Sequence, residues 1–181
     1  MNTAPLKNPA LSASSGDSGE SIQALASLLK NRGLTISVAE SCTGGLLASM
    51  LTELAGSSAY FVAGVVAYAN PAKTAFLGVP PDLIERNGAV SAEVAAAMAE
   101  GILRKTGSDL ALSITGIAGP DGGTTEKPVG TVYLGLADCN GSSAKLLQLS
   151  GSRNNIRILS ATSAMEWAIH HLATAPNKLK R

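Results

Sequence analysis

The sequence predicts an α/β fold: a single domain built as a three-layer α/β/α sandwich with a mixed sheet. Short apolar strands alternate with helical stripes of apolar residues along most of the chain, which is typical of parallel strands joined by helices. Two further strands then flank Asn140-Gly141, a dipeptide that favours a tight hairpin turn. Because a hairpin makes antiparallel neighbours, the sheet is expected to be mixed and covered by helices on both faces.

Apolar spacing and helix-ending glycines set the predicted elements. The first half has a helix closed by Gly33, a strand through Ile36 and Val38, a helix from Leu46 to Gly56, a strand over Ala59–Ala69, and short helices over Asn70–Gly78 and Pro81–Arg86. The second half has a helix from Ser91 to Gly107, a strand over Leu110–Ile114, a loop over Gly116–Pro128, strands over Val129–Ala137 and Ala144–Leu149, and a helix over Arg153–Leu172.

Composition sets the domain limits and excludes several classes of protein. Residues 1–18 are predicted to form a disordered tail, which lacks the features of a signal peptide. Residues 19–175 are predicted to form the folded domain, and residues 176–181 are predicted to form a basic tail. A net charge of +1 and 3% aromatic residues argue against nucleic acid as a partner. No apolar run approaches the ~20 residues of a membrane span, so a cytoplasmic protein with no membrane partner is expected. Two widely separated cysteines predict reduced thiols.

The segment Val38–Gly45, VAESCTGG, places Ser41 at a turn from a strand into a helix. Backbone N–H groups at such a turn can bind an anion or a developing negative charge. Two interpretations stay open. Ser41 and the glycines form a catalytic turn, or the side chain of Ser41 or Thr43 only caps the helix.

A serine nucleophile needs a base, and both histidines, His170 and His171, fall near the end of the last helix. A neutral lysine can serve instead when burial lowers its pKa. Lys73 lies in the first turn of a predicted helix, just after a strand that ends near Tyr68. The alternative is that Lys73 is a solvated surface residue.

The glycine-rich loop over Gly116–Pro128 is long for a compact domain, which favours a functional role over a lid that touches nothing. It lacks the patterns of a P-loop and of a dinucleotide fingerprint, so no cofactor is expected. Thr115 at the preceding strand end is a candidate substrate contact. Asp121 and Glu126 supply too few oxygens for a hard-cation site, and no metal is predicted.

Arg153 opens the last helix, where a guanidinium and a helix N-terminus can together hold a phosphate. Arg157 is the next candidate for this contact.

Five motifs carry a family resemblance, which runs in order from about Ile22 to Leu172. They are Glu40-Ser-Cys-Thr-Gly-Gly45, Ala67-Tyr-Ala-Asn-Pro-Ala-Lys73, Gly88-Ala-Val-Ser91, Ser113-Ile-Thr-Gly-Ile-Ala-Gly-Pro-Asp-Gly-Gly123 and Glu126-Lys-Pro-Val-Gly-Thr131. The sequence resembles the C-terminal domain of the CinA family, which also stands alone as a nicotinamide-nucleotide amidase. Members often place Gly-Asp-Arg where this chain has Gly151-Ser152-Arg153, so the acid is lost here.

The resemblance implies a hydrolase that converts nicotinamide mononucleotide into nicotinate mononucleotide and ammonia. It implies Ser41 as the nucleophile, Lys73 as its general base and Tyr68 as a hydroxyl that relays or orients the proton. Cys42 is a rival nucleophile. The residues expected to bind substrate are Thr43, Gly44, Gly45, Thr115, Gly116 and Arg153.

The resemblance also implies that the protein forms a homodimer. The other partner it implies is the small nucleotide substrate. One alternative from another functional class stays open. CinA-type chains can carry this domain beside another one, so it can also be a noncatalytic nucleotide-binding or interaction module.

Overall fold

A computed structural model of the chain describes residues 18–174. The predicted disordered tail and basic tail lie outside these residues, except for Ser18, which begins the first helix. The helices are α1 (Ser18–Arg32), α2 (Leu46–Leu51), α3 (Asn70–Leu77), α4 (Pro81–Asn87), α5 (Ala92–Thr106) and α6 (Arg153–Thr174). The strands are β1 (Ile36–Glu40), β2 (Phe61–Val66), β3 (Leu110–Gly116), β4 (Thr131–Asp138) and β5 (Gly141–Gln148).

The five strands form one mixed sheet in the order β2-β1-β3-β4-β5. β1 runs parallel to both β2 and β3, whereas β4 is antiparallel to β3 and to β5. The carboxyl ends of β1, β2 and β3 therefore meet at one edge of the sheet, together with the start of β4. Ligand sites of open α/β sheets lie at such an edge.

Helices cover both faces of the sheet, which confirms the predicted sandwich. Alternate residues of β3 enter different cores: Leu112 packs with α1 and α6, and Ala111 packs with α3 and α5. The second core is tightly closed at Gly101 of α5, where an added Cβ would lie 2.0 Å from the carbonyl oxygen of Leu77.

Several predicted elements were placed wrongly at their ends. The strand predicted over Ala59–Ala69 is shorter, as β2, and the strand predicted from Ala144 begins at Gly141, as β5. α2 stops at Leu51 and does not reach Gly56. The buried side chain of Tyr60 donates from its hydroxyl to the Leu51 carbonyl at 2.6 Å, which satisfies a carbonyl that a longer helix would use.

The hairpin turn lies one residue earlier than predicted, because Asp138 pairs with Gly141 and leaves Cys139 and Asn140 as the loop. The Asp138 carboxylate accepts the Asn140 N–H at 2.7 Å and stabilises this turn. No helix within residues 18–174 has the length and apolar character needed to cross a membrane.

Candidate active site

Ser41 lies in the turn between β1 and α2, at the edge where the parallel strands end. Its N–H donates to the Ile114 carbonyl of β3 at 2.9 Å, which extends the strand pairing by one residue and fixes the turn to the sheet. Gly44 and Gly45 follow with φ values of 61° and 95°. Both values fall in the left-handed region, where glycine is strongly favoured. Ser41 is buried at this edge of the sheet, with 8% of the residue exposed.

Lys73 reaches Ser41 from α3. Its side chain is 1% exposed, and its Nζ lies 3.1 Å from the Ser41 Oγ, 3.1 Å from the Ala67 carbonyl oxygen and 3.2 Å from the Tyr68 carbonyl oxygen. No carboxylate in residues 18–174 forms an ion pair with it. Burial lowers the pKa of Lys73 below its ordinary value. The structure therefore excludes the alternative of a solvated surface lysine.

Three oxygens surround the Lys73 Nζ. As an ammonium it donates to all three, the Ser41 Oγ included, while the Ser41 hydroxyl donates to the Tyr68 carbonyl at 3.5 Å. The same geometry also accommodates a neutral amine. An amine has two N–H groups, which the carbonyls of Ala67 and Tyr68 can accept. Its remaining tetrahedral position is a lone pair, which is then directed toward the hydroxyl of Ser41. A serine hydroxyl beside such a lone pair can transfer its proton as it attacks.

Cys42, the rival nucleophile, is 7% exposed. Burial raises the pKa of its thiol to about 11. The Cys42 backbone N–H opposes this rise, Glu40 adds to it, and Lys73 and Arg153 oppose it. Because only the thiolate is strongly nucleophilic, the Cys42 sulfur is a poor nucleophile near neutral pH.

The hydrogen bonds of the turn exclude simple capping of α2 by Ser41 or Thr43. Neither side chain accepts a helix N–H, and within the described chain the buried Thr43 Oγ1 has no hydrogen-bond partner. The Gly44 N–H donates to the Ser41 carbonyl at 3.0 Å, and the Gly45 N–H donates to Glu40 at 3.0 Å. Of the backbone N–H groups of residues 42–45, those of Cys42 and Thr43 therefore donate to no oxygen atom in the described structure, and of these two residues only Cys42 retains any exposed surface.

Arg153, at the start of α6, bridges two parts of the site. Its Nη1 donates to the Gly119 carbonyl of the glycine-rich loop at 2.6 Å, and its Nη2 donates to the Tyr68 hydroxyl at 3.1 Å. Tyr68 is 58% exposed. Among the described residues the Tyr68 hydroxyl hydrogen-bonds to Arg153 and to neither Ser41 nor Lys73, so no hydrogen bond there supports the expected relay role. Only the backbone carbonyl of Tyr68 contacts Lys73.

Arg157, the other candidate for the phosphate contact, lies one helical turn further along α6. Its Nε and Nη2 both donate to the Thr43 carbonyl, at 3.1 and 2.7 Å. The guanidinium thus holds the Ser41 turn against α6. Thr43 itself, an expected substrate contact, is fully buried, whereas Gly44 is exposed.

Two other expected substrate contacts are engaged inside the protein. The Thr115 hydroxyl is buried and donates to the Ala89 carbonyl at 2.8 Å. Gly116 packs on β4, where an added Cβ would lie 2.7 Å from a methyl carbon of Val132. The glycine-rich loop is also tied down by Lys127, whose Nζ donates to the carbonyls of Asn87 and Val90. These bonds contradict the alternative of a lid that touches nothing.

Other polar residues considered from the sequence lie elsewhere. His171 contacts Asp138 at 2.8 Å, at the opposite end of β4 from the serine. Asp121 and Glu126 are exposed on the loop. Across residues 18–174, no three His, Cys, Asp or Glu side chains converge in a way that could hold a metal ion.

A family model described as the CinA C-terminal domain matches residues 19–172. The chain belongs to the CinA family. Its sequence is 56% identical over 152 residues to a CinA-like protein of Geobacter sulfurreducens, covering 84% of this chain and 37% of that protein. A CinA-like protein of Desulfotalea psychrophila is 57% identical over 144 residues, covering 80% and 35%. The chain thus spans somewhat more than a third of the length of these curated CinA-like relatives.

Solved CinA-family structures share the fold. A competence/damage inducible protein of Agrobacterium tumefaciens superposes with a TM-score of 0.84 at 39% identity, covering 96% of this chain and all of that one. A CinA superfamily protein of Klebsiella pneumoniae superposes with a TM-score of 0.85 at 31% identity, covering 88% and 99%. These likenesses agree with the single-domain mixed sheet described above.

Within the CinA motif that contains Ser41, sequence reasoning assigned no role to Glu40. The structure buries this side chain to 1% exposure and gives it three backbone N–H donors from the start of α2. One signal was available in the sequence: an acidic residue at the end of an apolar strand, followed by a helix whose capping position is glycine.

Proposed function

We propose that the chain is a hydrolase that deamidates nicotinamide mononucleotide to nicotinate mononucleotide and ammonia. The observation that carries the proposal is the 3.1 Å approach of the Lys73 Nζ to the Ser41 Oγ, in a site where Lys73 is buried without a carboxylate partner among the described residues. Membership of the CinA family supports a CinA-type function. We propose that this function is the amidase activity.

In the proposed reaction, the Ser41 hydroxyl attacks the carboxamide carbon while Lys73 accepts its proton. The carbonyl oxygen gains negative charge, which the N–H group of Cys42 would stabilise. Lys73, now an ammonium held by the carbonyls of Ala67 and Tyr68, then gives its proton to the departing nitrogen. Ammonia leaves, and an acyl ester on Ser41 remains.

The second half of the cycle is hydrolysis of this ester. Lys73, neutral again, accepts a proton from a water molecule, whose oxygen attacks the ester carbon. The Ser41–acyl bond breaks, and the serine oxygen takes the proton back from Lys73. The products are nicotinate mononucleotide and free enzyme, and neither ATP nor a redox partner enters the balance.

Arg153 is the proposed phosphate contact, because it combines a guanidinium with the N-terminus of a 22-residue helix. In the free protein its two described acceptors are a backbone carbonyl and the Tyr68 hydroxyl, both of which are uncharged groups. A phosphate would be a stronger acceptor than either. Tyr68 connects this guanidinium with the serine, because its hydroxyl contacts Arg153 and its backbone carbonyl accepts from the Ser41 hydroxyl.

The second candidate function is that of a noncatalytic binding or interaction module. It is supported by the length of the curated relatives, of which this chain matches only 37% in the Geobacter sulfurreducens protein. Burial of Lys73 on Ser41 argues against it. Enclosing an amine costs stability, since desolvation disfavours its charged form. A purely binding domain has no need of a nucleophile paired with a base.

The proposal is tested by incubating the purified full chain with nicotinamide mononucleotide and measuring both ammonia and nicotinate mononucleotide. We expect equal amounts of the two products, without added ATP and with activity retained in a chelator. Nicotinamide riboside, which lacks the phosphate, should be a weaker substrate through a higher KM. Binding of the mononucleotide without any product would favour the noncatalytic module.

A further inference from the structure

Glu40 is a buried acidic residue whose side-chain oxygens accept hydrogen bonds only from backbone N–H groups in the described structure. It ends β1, immediately before Ser41, and none of the ion pairs within residues 18–174 includes it. Its Oε2 accepts the N–H groups of Gly45 at 3.0 Å and Leu47 at 3.1 Å, and its Oε1 accepts the Ala48 N–H at 2.8 Å. One carboxylate thus takes three of the first N–H groups of the α2 region.

These bonds decide which backbone donors of the Ser41 turn are free. With Gly45 committed to Glu40 and Gly44 committed to the Ser41 carbonyl, the N–H groups of the described turn that donate to no oxygen are those of Cys42 and Thr43, and only Cys42 retains any exposed surface. Arg157 holds the opposite side of the same turn through the Thr43 carbonyl. The turn is thus fixed by an acid on one side and a guanidinium on the other.

A carboxylate can accept several backbone N–H groups at once, which the hydroxyl of a usual helix cap cannot do. A Ser or Thr hydroxyl satisfies one helix N–H, whereas a carboxylate offers about four lone-pair positions and no donor of its own. A glutamine at this position would turn an NH₂ group toward at least one of the three backbone N–H groups. The turn would then lose a bond and shift.

We infer that Glu40 is a positioning residue, which fixes the Ser41 turn so that the N–H group of Cys42 receives the oxyanion formed on attack by Ser41. This inference rests on the proposed function, because the oxyanion belongs to that reaction. Glu40 does not touch the reacting atoms, and it acts through the backbone that it holds.

The test compares Glu40→Gln with wild type in the full chain, measuring kcat, KM and the melting temperature. We expect kcat to fall about 10- to 100-fold, because misplacing an oxyanion donor costs part of the 10²–10³ lost when one is removed. KM should stay within about twofold. In a Ser41→Ala background, Glu40→Gln should also leave the Kd for the mononucleotide nearly unchanged.

Asp109→Asn is the matched control. The Asp109 carboxylate also accepts a backbone N–H, from Thr35 at 2.8 Å, at the opposite end of the sheet. Its loss should lower the melting temperature without lowering kcat. If Glu40→Gln behaves like Asp109→Asn, or changes affinity while kcat is kept, Glu40 is only structural and the inference is overturned.

A second readout separates this inference from the proposed substrate. The rate at which a small fluorophosphonate labels Ser41, followed by intact mass, depends on the serine and its oxyanion donor and not on nucleotide binding. We expect slower labelling in Glu40→Gln than in Asp109→Asn, even if the wild type proves inactive on the mononucleotide. Equal rates overturn the positioning role, and a wild-type serine that is neither labelled nor active overturns the role and the function together.

Should Glu40→Gln not fold, Glu40→Asp gives the same comparison. It keeps the charge but withdraws the acceptor by one methylene, so slower labelling and a lower kcat than in the control are again expected. Wild-type values in Glu40→Asp would contradict the inference.

Discussion

The side-chain nitrogen of Lys73 lies 3.1 Å from the hydroxyl oxygen of Ser41, across 32 residues of sequence. Parallel pairing of β1 with β2 brings the two together, since Glu40 pairs with Val66 and the Ala67 N–H donates to the Glu40 carbonyl at 2.8 Å. The ends of both strands are thereby aligned. Ser41 follows one strand and the carbonyls that hold Lys73 follow the other.

The activity should depend on a neutral Lys73. Because burial lowers the pKa of this amine, the fraction of free enzyme with an unprotonated base rises as pH increases through that lowered value. We therefore expect kcat/KM to increase with pH along a limb whose apparent pKa lies below 10.5, the ordinary value for lysine. A profile of kcat/KM against pH, taken over the range in which the protein stays folded, measures this limb.

Substitutions identify the residue responsible for the limb. Lys73→Ala should lower kcat by about 10²–10⁴, the usual contribution of a general base. Lys73→Arg should not recover it, since a guanidinium keeps its proton. Lys105→Ala removes an exposed lysine and serves as the control. A limb that persists unchanged in Lys73→Arg would assign the titration to another group.

Thiol reagents should leave the activity intact. With a pKa of about 11 and 7% exposure, Cys42 should resist iodoacetamide, whereas the exposed Cys139 should be alkylated. Mass spectrometry of the treated native protein is expected to show one added group in wild type and none in Cys139→Ser. Rapid alkylation of Cys42 with parallel loss of ammonia release would transfer the nucleophile to the thiol.

Substitution of the two arginines of α6, Arg153 and Arg157, should affect different kinetic constants. Arg153→Ala removes the proposed phosphate contact, so KM should rise about 10- to 150-fold, from a loss of about 1.5–3 kcal/mol, with kcat little changed. Arg157→Ala removes the bidentate hold on Thr43, so kcat should fall about tenfold with KM nearly kept. Steady-state kinetics on the mononucleotide separates them, and the opposite assignment of effects would exchange their roles.

Tyr68→Phe tests whether the Tyr68 hydroxyl relays a proton or the side chain only lines the site. The Tyr68 hydroxyl contacts Arg153 at 3.1 Å, and its carbonyl, which the substitution keeps, is the group that contacts Lys73. We expect kcat within about threefold of wild type and a small increase in KM. A fall in kcat of about 10² or more, at constant KM, would support the relay instead.

Sequence pattern was sufficient for elements with strong local signals. α5 begins and ends where its cap and its final glycine predict: the Ser91 hydroxyl accepts the Val94 N–H, and Gly107 follows with φ 67°. The end of α2 was not predictable in this way, because the Tyr60 hydroxyl that meets Leu51 arrives from a later segment. Tertiary contacts override local spacing at such points.

The site shows the same division. The position of Ser41 at a strand-to-helix turn followed from local pattern, and so did the start of α3, which carries Lys73. The partners of Arg157 and Thr115 did not, because each is a carbonyl that tertiary packing brings opposite the side chain from a distant part of the sequence. The partners of Glu40 are close in sequence, but they depend on how the Ser41 turn folds back over the end of β1. Single-sequence reasoning identifies polar side chains near a strand end, but it does not reveal which of them are already paired.

The most direct measurement of the central claim is the rate of ammonia release from nicotinamide mononucleotide by Ser41→Ala, compared with wild type at equal folded concentration. Removing the nucleophile should lower this rate by at least about 10³-fold, while the Kd for the nucleotide and the melting temperature stay close to wild type. Ammonia release at the wild-type rate by folded Ser41→Ala would contradict the account.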